Sequence, residues 1–402
     1  MRNIWCDRMI CEEDQIWMTG ATCNALFCLD FNTKMYEFIS AFPNIPVMGY
    51  RSNLVCTKIE DELFFFPDRG ECIWIYHTVS KTFSKIVLNN PEKKRILIGM
   101  IFYCNHCIYA FSSGLEQIIE ISVSKKEVIA TYSISEYIQG AGITGITGIS
   151  SEGCVVDQSI YFTIPEKNLV CEFSAKTKTI LSFPLSEDIM PQTICYDGKN
   201  FWMTGKTKEI IRWNREEKKV LSVYRLPAGA GWFENKDGNF LENIEDKYCP
   251  APMFRWSVKV KDRIWFIPYI ANKMIYIDKN TCEIGVCDIV DEYEDEKSWN
   301  RIDKVKYSFE CMIQERFIFL YSYKNRRYLL VDTVDNMAQA VNIELTDESS
   351  KKLLGFLREN KERLIECDGI KVFDMIWDSD SNEEDAVYFG KYIWEKLSGG
   401  RL

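Results

Sequence analysis

Two histidines, sixteen cysteines and a small set of loop cations are the residues of this chain that could carry chemistry. His77 and His106 are the side chains whose ordinary pKa lies near neutrality, so they come first as general acids, bases or metal ligands. His106 stands inside CNHC, where Cys104 and Cys107 have the spacing of half a zinc site. The chain has no second Cys-x-x-Cys, so this element reads as a decorated turn, and neither a metal nor a cofactor is expected. A Gly-rich phosphate loop, a Gly-x-Ser-x-Gly elbow and a His-Glu-x-x-His pattern are all missing from the sequence. GAGITGITGIS (140–150) has the glycines of a phosphate loop without its Lys-Ser/Thr, and reads as a flexible connection. No catalytic residue can be named, and the reading leans away from an enzyme.

The cations are more suggestive. Arg51, Arg255 and Lys306 each stand five residues before a position aligned as equivalent, namely Cys56, Val260 and Cys311. Near them come Tyr50, Asp68, Arg69, Trp232, Trp256 and Trp299. Cations beside aromatics suit a protein or acidic peptide partner, or an anionic or sugar-like ligand. The competing reading is solvated loop charge, paired with Asp291, Glu292, Glu294 and Asp295. Asp68 is the first carboxylate to consider if the ligand is hydrolysed.

Bulk properties narrow the class. The chain has 402 residues, 47% hydrophobic and 27% charged, with a formal net charge of −10. An acidic chain gains little from counterion release, which argues against nucleic acid. No apolar run reaches the length of a membrane span, and the start, MRNIWCDRMICEEDQ, lacks a signal-like apolar stretch. The expectation is a cytoplasmic protein with reduced thiols.

The elements that must position these residues repeat. IWMTG (16–20) returns as FWMTG (201–205), and weaker copies lie between and beyond. Aromatic or apolar anchors recur at Trp17, Phe64, Tyr109, Tyr161, Trp202, Trp265 and Ile318. A second turn follows each, starting at Asp30, Tyr76, Ser122, Ser174, Asn214, Asp278 and Asp332. Six of those seven are Asp, Ser or Asn, which bond their own backbone in tight turns. The period is about 50 residues. Each copy holds four short runs rich in Val, Ile, Phe, Tyr and Trp, as in NLVCTKI, ELFFFP, CIWIYHT and FSKIVL. Four antiparallel strands in each of seven copies predict an all-β, seven-bladed β-propeller over residues 1–345. In WMTG the Trp is expected to pack between blades, and the Gly to supply a positive φ. Both histidines then fall in lower turns, away from the upper face where the long insertions 227–256 and 289–305 gather.

In six blades a cysteine precedes the anchor by a few residues: Cys11, Cys56, Cys104, Cys154, Cys195 and Cys311. These read as small apolar residues on crowded innermost strands. After 345 the period changes, and residues 346–402 form a mostly helical tail. Thr346 is a candidate cap for a helix with Leu353, Leu354, Leu357, Leu364 and Ile365 near one face. A strand (369–377) and a short amphipathic helix (386–397) follow.

The repeat architecture resembles the propellers of the Kelch and WD type over about residues 2–345. The Gly-Gly doublet of Kelch repeats and the Gly-His and Trp-Asp signatures of WD repeats are missing, so no functional residue carries over. Few histidines, no catalytic motif and aromatic-bearing loops favour a non-catalytic scaffold that binds a protein or peptide through upper-face loops. The alternative is a hydrolase- or lyase-type protein acting on, or binding, an anionic small molecule or glycan.

Overall fold

The computed structural model describes residues 6–20, 23–47, 53–68, 70–91, 94, 96–138, 149, 150, 152–185, 189–205, 208–228, 230, 252–271, 273–287, 289, 307–322 and 327–359. They form seven four-stranded antiparallel blades, the fold of a seven-bladed β-propeller. Blade one is β1 (Cys6–Glu12), β2 (Gln15–Gly20), β3 (Ala25–Asp30) and β4 (Met35–Ala41). Blade two is β5 (Asn53–Ile59), β6 (Glu62–Pro67), β7 (Cys72–His77) and β8 (Thr82–Val87). Blade three is β9 (Ile98–Cys104), β10 (Cys107–Ser112), β11 (Gln117–Ser122) and β12 (Glu127–Ser133), followed by the short helix α1 (Ser135–Ile138). Blade four is β13 (Gly153–Val156), β14 (Ser159–Ile164), β15 (Leu169–Ser174) and β16 (Ile180–Pro184). Blade five is β17 (Cys195–Tyr196), β18 (Asn200–Thr204), β19 (Glu209–Asn214) and β20 (Lys219–Arg225). Blade six is β21 (Phe254–Val260), β22 (Arg263–Pro268), β23 (Met274–Asp278) and β24 (Ile284–Cys287). Blade seven is β25 (Tyr307–Ile313), β26 (Phe317–Ser322), β27 (Arg327–Asp332) and β28 (Met337–Val341). The chain divides into two compact units, residues 1–84 with 341–402, and residues 85–340.

In the first unit, blades one and two share a core of Leu26, Phe42, Leu63, Phe65, Trp74 and Tyr76. A fifth strand, β29 (Glu344–Leu345), pairs in parallel with β4 at Met35 and Tyr36. Helix α2 (Asp347–Glu359) follows directly. Its cap is Thr346, whose Oγ1 accepts the Ser349 N–H at 3.2 Å. Leu353 is fully buried, and Phe356 meets Phe38 of β4 at 6.0 Å. Leu364, Ile365 and the two later tail elements lie outside the described residues.

The anchors sit on the second strands, and Phe64, Tyr109, Tyr161, Trp202, Trp265 and Ile318 are fully buried. First strands of successive blades touch within each unit, β1 against β5 and β9 through β13 and β17 to β21, which makes them the inner strands. The six aligned cysteines all lie on these strands. They do not share a register: Cys154 and Cys195 face their anchors directly, whereas Cys56 and Cys311 sit one residue off. CNHC is the β9–β10 hairpin. Asn105 and His106 both have positive φ, as a two-residue hairpin turn requires, and Cys104 and Cys107 face each other because they flank it.

Two local expectations need correction. The turn residue of blade two is His77, one beyond Tyr76: its Nδ1 accepts the Ser80 N–H at 3.2 Å, as Asp30 Oδ1 accepts Thr33 N–H in blade one. Gly205 is not needed for positive φ. A Cβ there would lie 1.7 Å from the Ile189 carbonyl oxygen, so glycine is required by close backbone approach.

A further regularity appears at the lower ends of the blades. The residue four beyond each second-turn start is left-handed, with φ between 54° and 61°: Lys34, Lys81, Lys126, Lys178, Lys218, Cys282 and Asn336. In blades four to six this residue meets the preceding blade. Lys178 Nζ donates to Tyr109 Oη at 2.7 Å and to Glu120, and Tyr109 and Tyr132 also donate to that carboxylate. Lys218 meets Glu172 at 3.1 Å, while Arg215 donates to Tyr161 Oη at 3.0 Å and to Asp157 at 2.7 Å. At the next join the chemistry reverses. Arg212 replaces the acid and approaches the Cys282 thiol, to which Tyr224 donates at 3.2 Å.

Candidate functional site

The upper inner ends of blades four to six, all within the second unit, bring polar groups together. Gly153 opens β13 with no room for a side chain: a Cβ would lie 2.6 Å from Tyr161 O and 2.7 Å from the Phe102 ring. The residue before it, Glu152, is held by the Ser150 hydroxyl, which donates to its carbonyl at 2.7 Å. The Glu152 side chain passes blade five and meets β21 of blade six. Oε1 accepts the Ser257 backbone N–H at 2.6 Å and Oε2 accepts the Ser257 hydroxyl at 2.7 Å. Hydrogen bonds to a charged group contribute about 1.5–3 kcal/mol each, so this contact fixes the two strands together.

Two residues upstream of Ser257, Arg255 is a bulge residue. Phe254 pairs with Pro268 and Trp256 with Ile267, leaving Arg255 without an opposite number. Bulges re-aim a side chain. The Arg255 guanidinium lies 5.3 Å from the Trp256 ring centroid and 5.0 Å from that of Tyr269. Trp256 is itself buried, edge-on to Tyr269 at 6.1 Å, and the Tyr269 N–H donates to Met253 O at 2.8 Å. A partly exposed cation is thus held on two aromatic faces, a contact of about 0.5–2 kcal/mol.

Of the residues singled out from sequence, Arg255 and Trp256 meet here. Trp256 is a strand residue with its ring in the core, and the insertion of blade six ends before Phe254. Asp68 follows β6 and is fully buried, so a ligand does not reach its carboxylate in this structure. Tyr50, Arg51, Arg69, Trp232, Trp299 and Lys306 lie outside the described residues. The proposed equivalence of Arg51, Arg255 and Lys306 does not survive the register. Cys56, Ser257 and Cys311 each face the residue after their anchor, so Val260 is three positions out. The counterpart of Arg255 in blade two is Leu54, which is bulged in the same way.

Glu152 and Ser257 were missed, and no short-range signal marks them. The thiols nearby are poor nucleophiles. Burial, with Glu152 adding to it, pushes Cys154 far above its ordinary pKa, and burial raises Cys195 well above its own. Both histidines lie in lower turns. In the first unit an open groove of about 570 Å³ runs between β1 and β5, past Met9, Cys11, Cys56 and Thr57, to the Glu12–Lys58 ion pair.

No protein-family model matches this chain, and no curated protein matches it by sequence. Solved structures do. The WD40 repeats of RRP9 align with 79% of this chain and 87% of their own at 10% identity and a TM-score of 0.55. A catalytically inactive virginiamycin B lyase from Staphylococcus aureus, with quinupristin, aligns at 14% identity over 80% and 92% with a TM-score of 0.54. A chain of the mitotic checkpoint complex aligns at 10% identity over 80% and 85% with a TM-score of 0.50. Identities this low carry the fold and nothing finer. No helix among the described residues is long and apolar enough to cross a membrane.

Proposed function

We propose that the chain is a non-catalytic interaction scaffold, holding a protein or peptide partner against the upper ends of its blades. The observation that carries this reading is Arg255, aimed by a bulge and held on Trp256 and Tyr269 next to the longest insertion. Arg, Trp and Tyr are the residues over-represented at interface hot spots. Low-identity likeness to RRP9 and to a mitotic checkpoint complex chain is compatible with a partner-binding role. In this reading residues 346–402 are an appendage to the propeller, and the thiol-rich chain works in the cytoplasm.

Arg255 serves equally well for an anionic small molecule or glycan, the second reading. One experiment separates them. Proteins captured from source-cell lysate by the wild-type chain are identified, and each is titrated as a purified protein against wild type and folded Arg255→Glu. A partner whose affinity falls at least tenfold supports the scaffold. Capture without any dependence on Arg255 removes the site. If no protein binds and an anion or sugar raises the Tm of wild type but not of the variant, the small-ligand reading replaces it.

A further inference from the structure

The outer strands of the blades differ in how they are finished. In blade one, β29 lies on β4, so the fold itself shows that such an edge accepts an added strand. The bulge at Ile39 does not prevent it, because β29 pairs beside the turn, at Met35 and Tyr36. The corresponding residues of blade five are Lys219 and Val220, and among the described residues no strand pairs beyond β20. Its sequence, KVLSVYR, alternates in exposure along its length, with a bulge at Leu221 just beyond the Lys219–Val220 pair. Val220, Ser222 and Tyr224 turn inward, while Lys219, Leu221, Val223 and Arg225 face solvent. Leu221 and Val223 are 39% and 48% exposed, two aliphatic side chains on one face of an open edge. The edge of blade four, by contrast, ends in Pro184, a residue that discourages pairing.

We propose that β20 is a strand-addition site for an extended partner segment carrying two aliphatic residues flanked by an acid at each end. The occupant follows from the charges. An in-register antiparallel pairing of two β20 strands would set Lys219 against Arg225 at both ends, which like-charge repulsion disfavours. The same two cations, roughly 20 Å apart at about 3.3 Å per residue, attract an acid-ended strand. Their present neighbours are weak competitors. Lys219 meets Glu217 at 2.6 Å with both side chains more than half exposed, and Glu209 faces Arg225 from the opposite side, across the ladder. This surface is separate from the Arg255 site and stands without it.

The test needs no identified partner. The heptapeptide Glu-Thr-Val-Thr-Ile-Thr-Glu is titrated by fluorescence anisotropy against the full chain, with Lys-Thr-Val-Thr-Ile-Thr-Lys as the control. The acidic peptide binds at least tenfold tighter to wild type, and the preference inverts for Lys219→Glu/Arg225→Glu. Separately, Lys219→Glu alone makes β20 self-complementary, so light scattering shows that variant dimerising at least tenfold more strongly than wild type. Equal binding of the two peptides, or no inversion in a double variant folded by circular dichroism, overturns the proposal. So does a Lys219→Glu chain that stays as monomeric as wild type.

Discussion

The join between blades three and four and the join between blades five and six share a backbone plan and oppose each other in chemistry. At the first, a buried acid on the third strand, Glu120, takes the left-handed lysine of the next blade, Lys178. At the second, the same strand position holds Arg212, whose guanidinium lies 5.6 Å from the Trp202 ring centroid, and the left-handed residue is Cys282. The turn geometry fixes where the two groups meet. Polarity is free to change provided each buried group finds a partner. The first join therefore depends on a charge, and the second on an aromatic.

The widest separation between them comes from Trp202→Ala. It removes the fully buried indole beneath Arg212 and Tyr224, and a loss of about 3–5 kcal/mol is expected in urea denaturation. Next is Lys178→Met, which leaves Glu120 buried without its cation. Half-exposure of Lys178 reduces the usual cost of breaking a buried pair to about 2 kcal/mol. Equal losses for the two variants would mean that both joins are held in the same way.

Acid titration sharpens the contrast further. Burial pushes the Glu120 carboxyl up, but hydrogen bonds from Lys178, Tyr132 and Tyr109 outweigh it and leave the pKa below the ordinary 4.5. A carboxylate depressed in the folded state stabilises above its unfolded pKa, and that contribution is lost as pH falls through the folded value. Wild type is thus expected to lose stability below about pH 4.5 more steeply than Glu120→Gln, whose midpoint should vary less over the same window. The smallest effect belongs to Cys282→Ser, below about 1 kcal/mol, since a hydroxyl can still accept from Tyr224.

The anchors and turns could be read in the sequence because they obey short periods: an aromatic beside a turn, an Asp or Ser opening the next. The left-handed position is equally periodic, four residues beyond each turn start, but five of its seven residues are lysine, which is not a residue that marks turns. Spacing set Arg255 in correspondence with Arg51, whereas the register sets it against Leu54. The strand pairing matches Ser257, not Val260, to Cys56, and sequence spacing alone does not reveal that three-residue offset. The Glu152–Ser257 contact joins residues 105 positions apart across an intervening blade, and nothing local encodes it.

The pairing of β29 with β4 has a consequence for how the protein is made. Blade one is complete in its own four strands early in synthesis, yet its outer edge is covered by a segment roughly 300 residues downstream. At about 5–20 residues per second, some 15–60 s of translation separate the two. Throughout that interval the nascent chain presents an uncapped strand beside the ribosome, and a stop codon placed before Glu344 would make the exposure permanent.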